Sequence, residues 1–290
     1  MASALWEIAA AREAEALILE LGIKALPVCP FAIARELEIE VRPLPGARRG
    51  VSGMLLHFDG SFGIAYATYI GNDGFKHFSI GHELGHYRLP GHPENVLRNG
   101  AHTSYAGFVS KDRYELEADH FSAALLMPGR LFDIAMDNSG SGLAAIESVS
   151  GQCITSLTAT AIRYAQRTSD AAAIVVSTGQ SIDYCFMSDS LREVRGLDWI
   201  RKGSVVPRSS ATSGFNAAPA KIASSERADG ESNLQDWFGG DLDVELTEEV
   251  VGLGAYGKTL TVLTAANLPD AEEIEEEEEL GESWTPRFRK

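Results

Sequence analysis

Cysteine is scarce: Cys29, Cys153 and Cys185 are an odd number, far apart, and none belongs to a C-x-x-C pair. That argues against a disulfide framework and makes a reducing cytoplasm the expected compartment. Long apolar runs are also missing. No stretch reaches the roughly 18 uninterrupted apolar residues of a membrane span. The first thirty residues interleave Glu7, Glu13, Glu15 and Glu20 with apolar positions, the pattern of an amphipathic helix and not of a secretory leader. Basic charge is the third deficit: 25 Lys and Arg against 41 Asp and Glu leave a net charge of −16, which disfavours a chain that coats nucleic acid or anionic lipid. Nine of the acidic residues lie between Asp270 and Glu282 with no basic residue among them, so the rest of the chain carries −7. This segment reads as a solvated acidic run; toward a basic protein substrate it would act as an attractor.

What is present is enough for packed cores. At 290 residues and 44% hydrophobic content, the chain is too long for one small module and suggests two domains of about 150 residues each. All seven histidines fall between His57 and His120, so whatever histidine does, it does in the first half. Residues 3–21 and 30–37 read as helices separated by Pro27 and Pro30. Two short β-favouring runs, 53–58 and 62–66, flank Asp59-Gly60 and predict a hairpin. Asn72-Asp73-Gly74 offers a cap for a helix over 75–88, stopped by Pro90-Gly91, and Asp112 caps another that ends at Pro128-Gly129. Between them, a stretch rich in Gly, His and Asn reads as loop. After an Ala- and Ser-rich helical region, strands are predicted at 173–177, 182–187 and 259–264, whereas 205–232 reads as loop-like.

The chemistry concentrates at His82-Glu83-Leu84-Gly85-His86. Histidines four apart share one helix face, so both imidazoles can reach one Zn2+ ion while Glu83 is placed as general base. A catalytic zinc needs a third protein ligand, and two candidates compete. Glu115 shares a helix face with Asp119, an arrangement that would let Glu115 bind metal while Asp119 receives the far nitrogen of a ligating histidine; Glu117, about 200° round the helix, should miss the ion. The bland reading of Glu115 is a first-turn carboxylate favoured by capping and the helix dipole. His92 stands at the spacing of H-E-x-x-H-x-x-G-x-x-H, but Leu89 replaces the glycine that lets the backbone turn, so His92 reads first as an exposed loop histidine. His57, His77, His102 and His120 read as surface or packing residues, with His102, Tyr105 and His120 as candidate donors to an oxyanion.

The run Phe78-Ser79-Ile80-Gly81-His82-Glu83-Leu84-Gly85-His86, followed by Glu115-x-x-Ala118-Asp119-x-Phe121-x-Ala123-x-Leu125-Leu126-Met127-Pro128, resembles the ImmA/IrrE family of zinc metallopeptidases. Leu21-Gly22-Ile23, Pro27 and Ile33-Ala34-x-x-Leu37 are similar to its opening helices, so the resemblance spans roughly residues 5–130. It implies that His82, His86 and Glu115 bind zinc, that Glu83 is the general base, and that the substrate is a protein, typically an Xre-type helix-turn-helix repressor relieved by an antirepressor in stress responses or mobile elements.

The expected fold class is therefore α+β. A zincin-like metallopeptidase domain over 1–130, a small β-sheet plus active-site helices, precedes a helical connector over 131–168. A small α+β domain over 169–268 follows, where one branch of the family carries a GAF-like domain, and then an acidic tail over 269–290. In the connector, two helices around Ser150-Gly151 have a helix-turn-helix spacing, yet Arg163 and Arg167 are the only basic residues in or beside them, so a packing pair is favoured over a DNA reader. The leading function is a zinc endopeptidase; the alternative is a zinc-stabilised module that sequesters a repressor without cutting it, with direct DNA binding third.

Overall fold

Turn and cap chemistry in the first third of the chain sets the frame of the site. The computed structural model describes residues 2–46, 50–105, 112–266 and 268. Helix α1 (Ala2–Glu20) is followed by Gly22 at φ 64°, a left-handed position that suits glycine. Helix α2 (Pro30–Glu36) opens on a proline, whose fixed φ fits the first turn. Strands β2 (Val51–Phe58) and β3 (Ser61–Ala67) form the expected hairpin, and Asp59 and Gly60 both take positive φ, as a two-residue type I′ connection requires.

Two further strands were not legible as such. β1 (Glu40–Leu44) pairs with β3 in parallel, and β4 (Ala101–Tyr105) pairs with β2 antiparallel, giving the order β1-β3-β2-β4. Both are outer strands; β1 carries Pro43 and β4 is polar, so pairing and not propensity makes them strands. Among the described residues the hairpin is thus flanked on both sides, by β1 on β3 and by β4 on β2, and β4 is the outer strand on the β2 side. Leu55 and Ile64 face inward and join Ile80 and Leu84 in one buried cluster.

Helix α3 (Asp73–Arg88) starts with the Asn72 side chain accepting from the Phe75 amide, and helix α5 (Arg113–Leu126) with Asp112 accepting from the Tyr114 amide. Between them, the segment read as loop contains the short helix α4 (His92–Val96) as well as β4. α3 and α5 approach closely because Gly81 and Gly85 face α5: a Cβ would lie 2.5 Å from Ser122 Oγ at the first and 3.2 Å from Ala118 Cα at the second. Helices α6 (Gly129–Asp137), α7 (Gly142–Cys153) and α8 (Leu157–Arg167) follow. The break between the last two falls at Ile154, which takes φ 55°, and not at Ser150-Gly151, which lie inside α7; a helical glycine costs only about 1 kcal/mol against alanine.

The chain divides into two compact units between Arg163 and Tyr164. The second holds a fully antiparallel five-stranded sheet, ordered β6-β5-β9-β8-β7, from β5 (Ala171–Thr178), β6 (Ser181–Met187), β7 (Arg227–Asn233), β8 (Glu245–Gly252) and β9 (Thr259–Ala265). The helices α9 (Asp189–Arg192), α10 (Ala211–Asn216), α11 (Pro219–Ala223) and α12 (Leu234–Phe238) complete it. The stretch 205–232, read as loop-like, contains α10, α11 and most of β7. One of its serines and one of its prolines start helices: Ser210 accepts from the Ser213 amide, and Pro219 opens α11. Leu234, Trp237 and Phe238 pack with Val175 and Leu263. The protein is thus α+β, a mixed sheet with helices followed by an antiparallel sheet. No helix among the described residues is long and apolar enough to cross a membrane. The acidic run 270–282 lies outside the described residues.

Candidate metal centre

His82 and His86 project from one face of α3 toward α5, where Glu115 sits in the first turn. His82 Nε2 and His86 Nε2 are 3.0 Å apart, and Glu115 lies 3.4 Å from the first through Oε2 and 3.3 Å from the second through Oε1. Three donor atoms therefore converge within 4.8 Å of one another. Ligands held at 2.0–2.1 Å around a tetrahedral ion stand about 3.3 Å apart, so this spacing fits a small divalent cation. Electrostatics point the same way. Burial would raise the Glu115 carboxyl, but hydrogen bonds from His102, His82 and His86 hold it well below the usual carboxylate range. Burial alone would depress His82, yet its bonds to Asp119 and Glu115 and the charge of Glu83 push it up to about 10. His86 is pushed down to about 3, by burial first, against the pull of Glu115. The cluster draws positive charge, and a bound cation would displace that proton.

Each histidine is held through its far nitrogen, and by different partners. His82 Nδ1 lies 2.9 Å from Asp119 Oδ1. His86 Nδ1 lies 3.1 Å from His92 Nδ1, and His92 Nε2 is 2.8 Å from Glu117 Oε2. His92 is therefore not the exposed loop residue expected: it is 1% exposed, and it meets His86 on the side away from the convergent Nε2 atoms. Neither does it stand among the three converging donors. Glu117 misses the cluster, as its helix position demands, but is itself buried.

Glu83, the next residue along α3, is fully buried, and neither of its carboxylate oxygens has a hydrogen-bond partner among the described residues. Burial pushes it up to about 7, opposed by the charges of His82 and His102. Two residues missed by sequence reasoning make its niche. Gly53 on β2 faces it so closely that a Cβ would lie 2.6 Å from Glu83 Oε1. Ser104, the register partner of Gly53 on β4, is 1% exposed with its hydroxyl also unpartnered. The available signal was the isolated glycine at the start of a β-favouring run, which often marks a bulge or a close approach; the β2–β4 register does shift between Val51 and Gly53.

Of the candidate oxyanion donors, only His102 borders the cluster. Its Nε2 lies 2.8 Å from Glu115 Oε1 and its ring 4.5 Å from that of His86. Tyr105 is largely exposed, and His120 instead faces Trp6 and Glu7. His102, Tyr114 and Glu115, with Asn95, Val96, Arg98 and Asp112, line a cleft of about 300 Å3 that meets the centre at Glu115.

Residues 71–149, which hold the whole donor set, match the IrrE N-terminal-like domain of peptidase family M78. Among solved structures, the chain is similar to a Mycobacterium tuberculosis transcriptional regulator, at 14% sequence identity and a TM-score of 0.54, over 88% of this chain and 74% of that one. At such identity the likeness is one of fold. No curated protein matches the chain.

Proposed function

We propose, on the match of residues 71–149 to the IrrE N-terminal-like domain of peptidase family M78, that the chain is a zinc-dependent endopeptidase whose substrate is a cytoplasmic helix-turn-helix repressor. The observation that carries the reading is Glu83: a fully buried carboxylate with no hydrogen-bond partner among the described residues, next to His82 of the converging set His82, His86 and Glu115. Leaving a buried carboxylate unsatisfied costs stability, so its retention points to chemistry. Two imidazoles and one carboxylate are a donor set of catalytic zinc sites. When bound, zinc would supply positive charge that polarises a peptide carbonyl and acidifies water.

The protein's own groups do the rest. Glu83, near neutrality at about 7, can take a proton from water as the oxygen adds to the carbonyl carbon. It can then return that proton to the amine nitrogen as the C–N bond breaks. Asp119 orients His82, His102 orients Glu115, and Gly53 leaves the space in which the Glu83 carboxylate sits. β4 borders the cleft through His102 and has no strand partner on its outer side among the described residues, which suits an extended peptide added as a further strand. That a protein of similar fold is a transcriptional regulator accords with a substrate in gene control. In this reading residues 1–130 are the zincin-like peptidase domain, 131–168 the helical connector and 169–268 a GAF-like sensing or substrate-selecting module.

The test is to incubate the purified protein with candidate Xre-type helix-turn-helix repressors from the same genome and compare wild type with Glu83→Gln. Cleavage by wild type alone, with metal retained in both, supports the peptidase. Relief of repression by both proteins without cleavage replaces it with the sequestering module.

A further inference from the structure

We propose that His92 is a positioning residue for the metal centre: it transmits the Glu117–Arg113 ion pair to His86 and holds His86 with its proton on Nδ1 and its Nε2 lone pair toward His82 and Glu115. The proposal rests on the reading of those residues as a metal site.

Donors and acceptors along the chain of contacts fix the tautomers. Arg113 Nε lies 2.7 Å from Glu117 Oε1; a guanidinium can only donate, so Glu117 is met there as an ionised acceptor. Its other oxygen is 2.8 Å from His92 Nε2, which must then carry a proton. A neutral His92 with its proton on Nε2 has a bare Nδ1, and that atom lies 3.1 Å from His86 Nδ1. Only an N–H on His86 Nδ1 satisfies the contact. His86 Nε2 is thereby left as a lone pair, the form a metal ligand needs.

The local fold supports the relay. Leu89 ends α3, Gly91 turns the chain at φ 80°, and the His92 amide bonds back to Leu89 O at 3.1 Å. This turn brings the first residue of α4 under the last turn of α3. There the His92 ring packs edge-on against Tyr114, with centroids 4.9 Å apart. His92, Glu117 and His86 are all buried, whereas Arg113 is largely exposed, so the relay runs from solvent to the centre. The two histidine ligands are consequently held unequally. His82 bonds a carboxylate directly; His86 bonds a neutral imidazole that is itself fixed by a carboxylate.

The test uses the full chain and zinc competition against a chromophoric chelator, with 15N NMR of the histidine rings in the zinc-loaded protein. Wild type should bind one ion with His86 protonated at Nδ1 and His92 at Nε2. His92→Leu should bind about 10–100-fold more weakly. His92→Gln should stay within about threefold of wild type, because its amide oxygen can accept from His86 while its NH2 donates to Glu117. Glu117→Gln should fall between these, with His92 no longer fixed in one tautomer. A wild-type His92 protonated at Nδ1, or a folded His92→Leu protein that binds zinc as tightly as wild type, overturns the proposal. If His92→Leu does not fold, the wild-type tautomer decides alone. Failure of the metal-site reading is seen separately, as a wild type that binds no more zinc than His82→Ala.

Discussion

Glu83 in the first unit and Glu248 in the second are both fully buried carboxylates, one on a helix and one on a sheet. Glu248 accepts from the Ala211 amide at 3.2 Å, from the Thr212 amide at 2.7 Å and from the Thr212 hydroxyl. Thr212 then reaches Thr261, while Thr259, Asn216 and Ser177 are linked beside it. The oxygens of Glu83 find no hydrogen-bond partner among the described residues. Burial alone therefore does not set Glu83 apart from Glu248; a buried carboxyl group whose partners are missing does. If that contrast is sound, replacing the two residues should affect different properties. Glu83→Gln should lower peptide cleavage on the order of 10^2–10^4-fold, with zinc content and urea midpoint unchanged or the midpoint raised. A variant that still cleaves within about tenfold of wild type removes Glu83 from the chemistry.

Glu248→Leu should do the reverse. It leaves two amides and a hydroxyl buried without their acceptor, a loss of about 3–5 kcal/mol in the second unit, read by urea unfolding with probes in each unit. Glu248→Gln keeps an acceptor and should cost less. An unfolding midpoint unmoved in Glu248→Leu would mean that the network does not hold α10 to the sheet, and the comparison with Glu83 would lose its structural half.

The contrast also has a pH signature in the metal-free protein. Glu83 is raised from 4.5 to about 7 in the fold, so the folded state keeps a proton that the unfolded chain gives up. Below about pH 4.5 both states are protonated and nothing is lost. As the pH rises toward 7 only the unfolded state ionises, and stability falls by up to ~3 kcal/mol relative to Glu83→Gln, then stays level. With a chelator present, urea unfolding of both proteins across that range measures the difference. Parallel pH curves would show that Glu83 is solvated after all.

How much of this was legible followed from the range of the interactions. The active helix was readable because its signals are local: the Asn72 cap, the i, i+4 histidines and the stop at Pro90-Gly91. Asp119 could be paired with a histidine on periodicity alone, and in the structure it meets His82. The choice between Glu115 and His92 was not local. It depends on how the chain turns after Leu89, and the turn at Gly91 sends His92 behind His86 and not beside it. Gly53 and Ser104 matter only because β2 and β4 pair across from α3. Strands such as β1 and β4 owe their form to a neighbour, so a polar or proline-containing stretch concealed them. In 205–232, Ser210, one of the serines that suggested loop, is the N-cap of a short helix, and single-residue composition cannot separate the two roles.

Two glycines of the β2–β3 hairpin offer the finest division of the comparison. Gly53 faces Glu83, where a Cβ would intrude to 2.6 Å of Oε1; Gly63, in the neighbouring strand, would meet nothing nearer than Glu40 O at 3.6 Å. Neither takes a positive φ, so backbone strain does not enter and only space distinguishes them. Gly63→Ala should leave stability within about 0.5 kcal/mol. Gly53→Ala should cost about 1–3 kcal/mol by overpacking and turn the Glu83 carboxylate from its place. The three donor atoms lie elsewhere, so zinc affinity should hold while kcat falls with KM little changed. Equal kcat in the two alanine variants would mean that Glu83 finds its working position without the niche, and that Gly53 serves only the packing of β2 on α3.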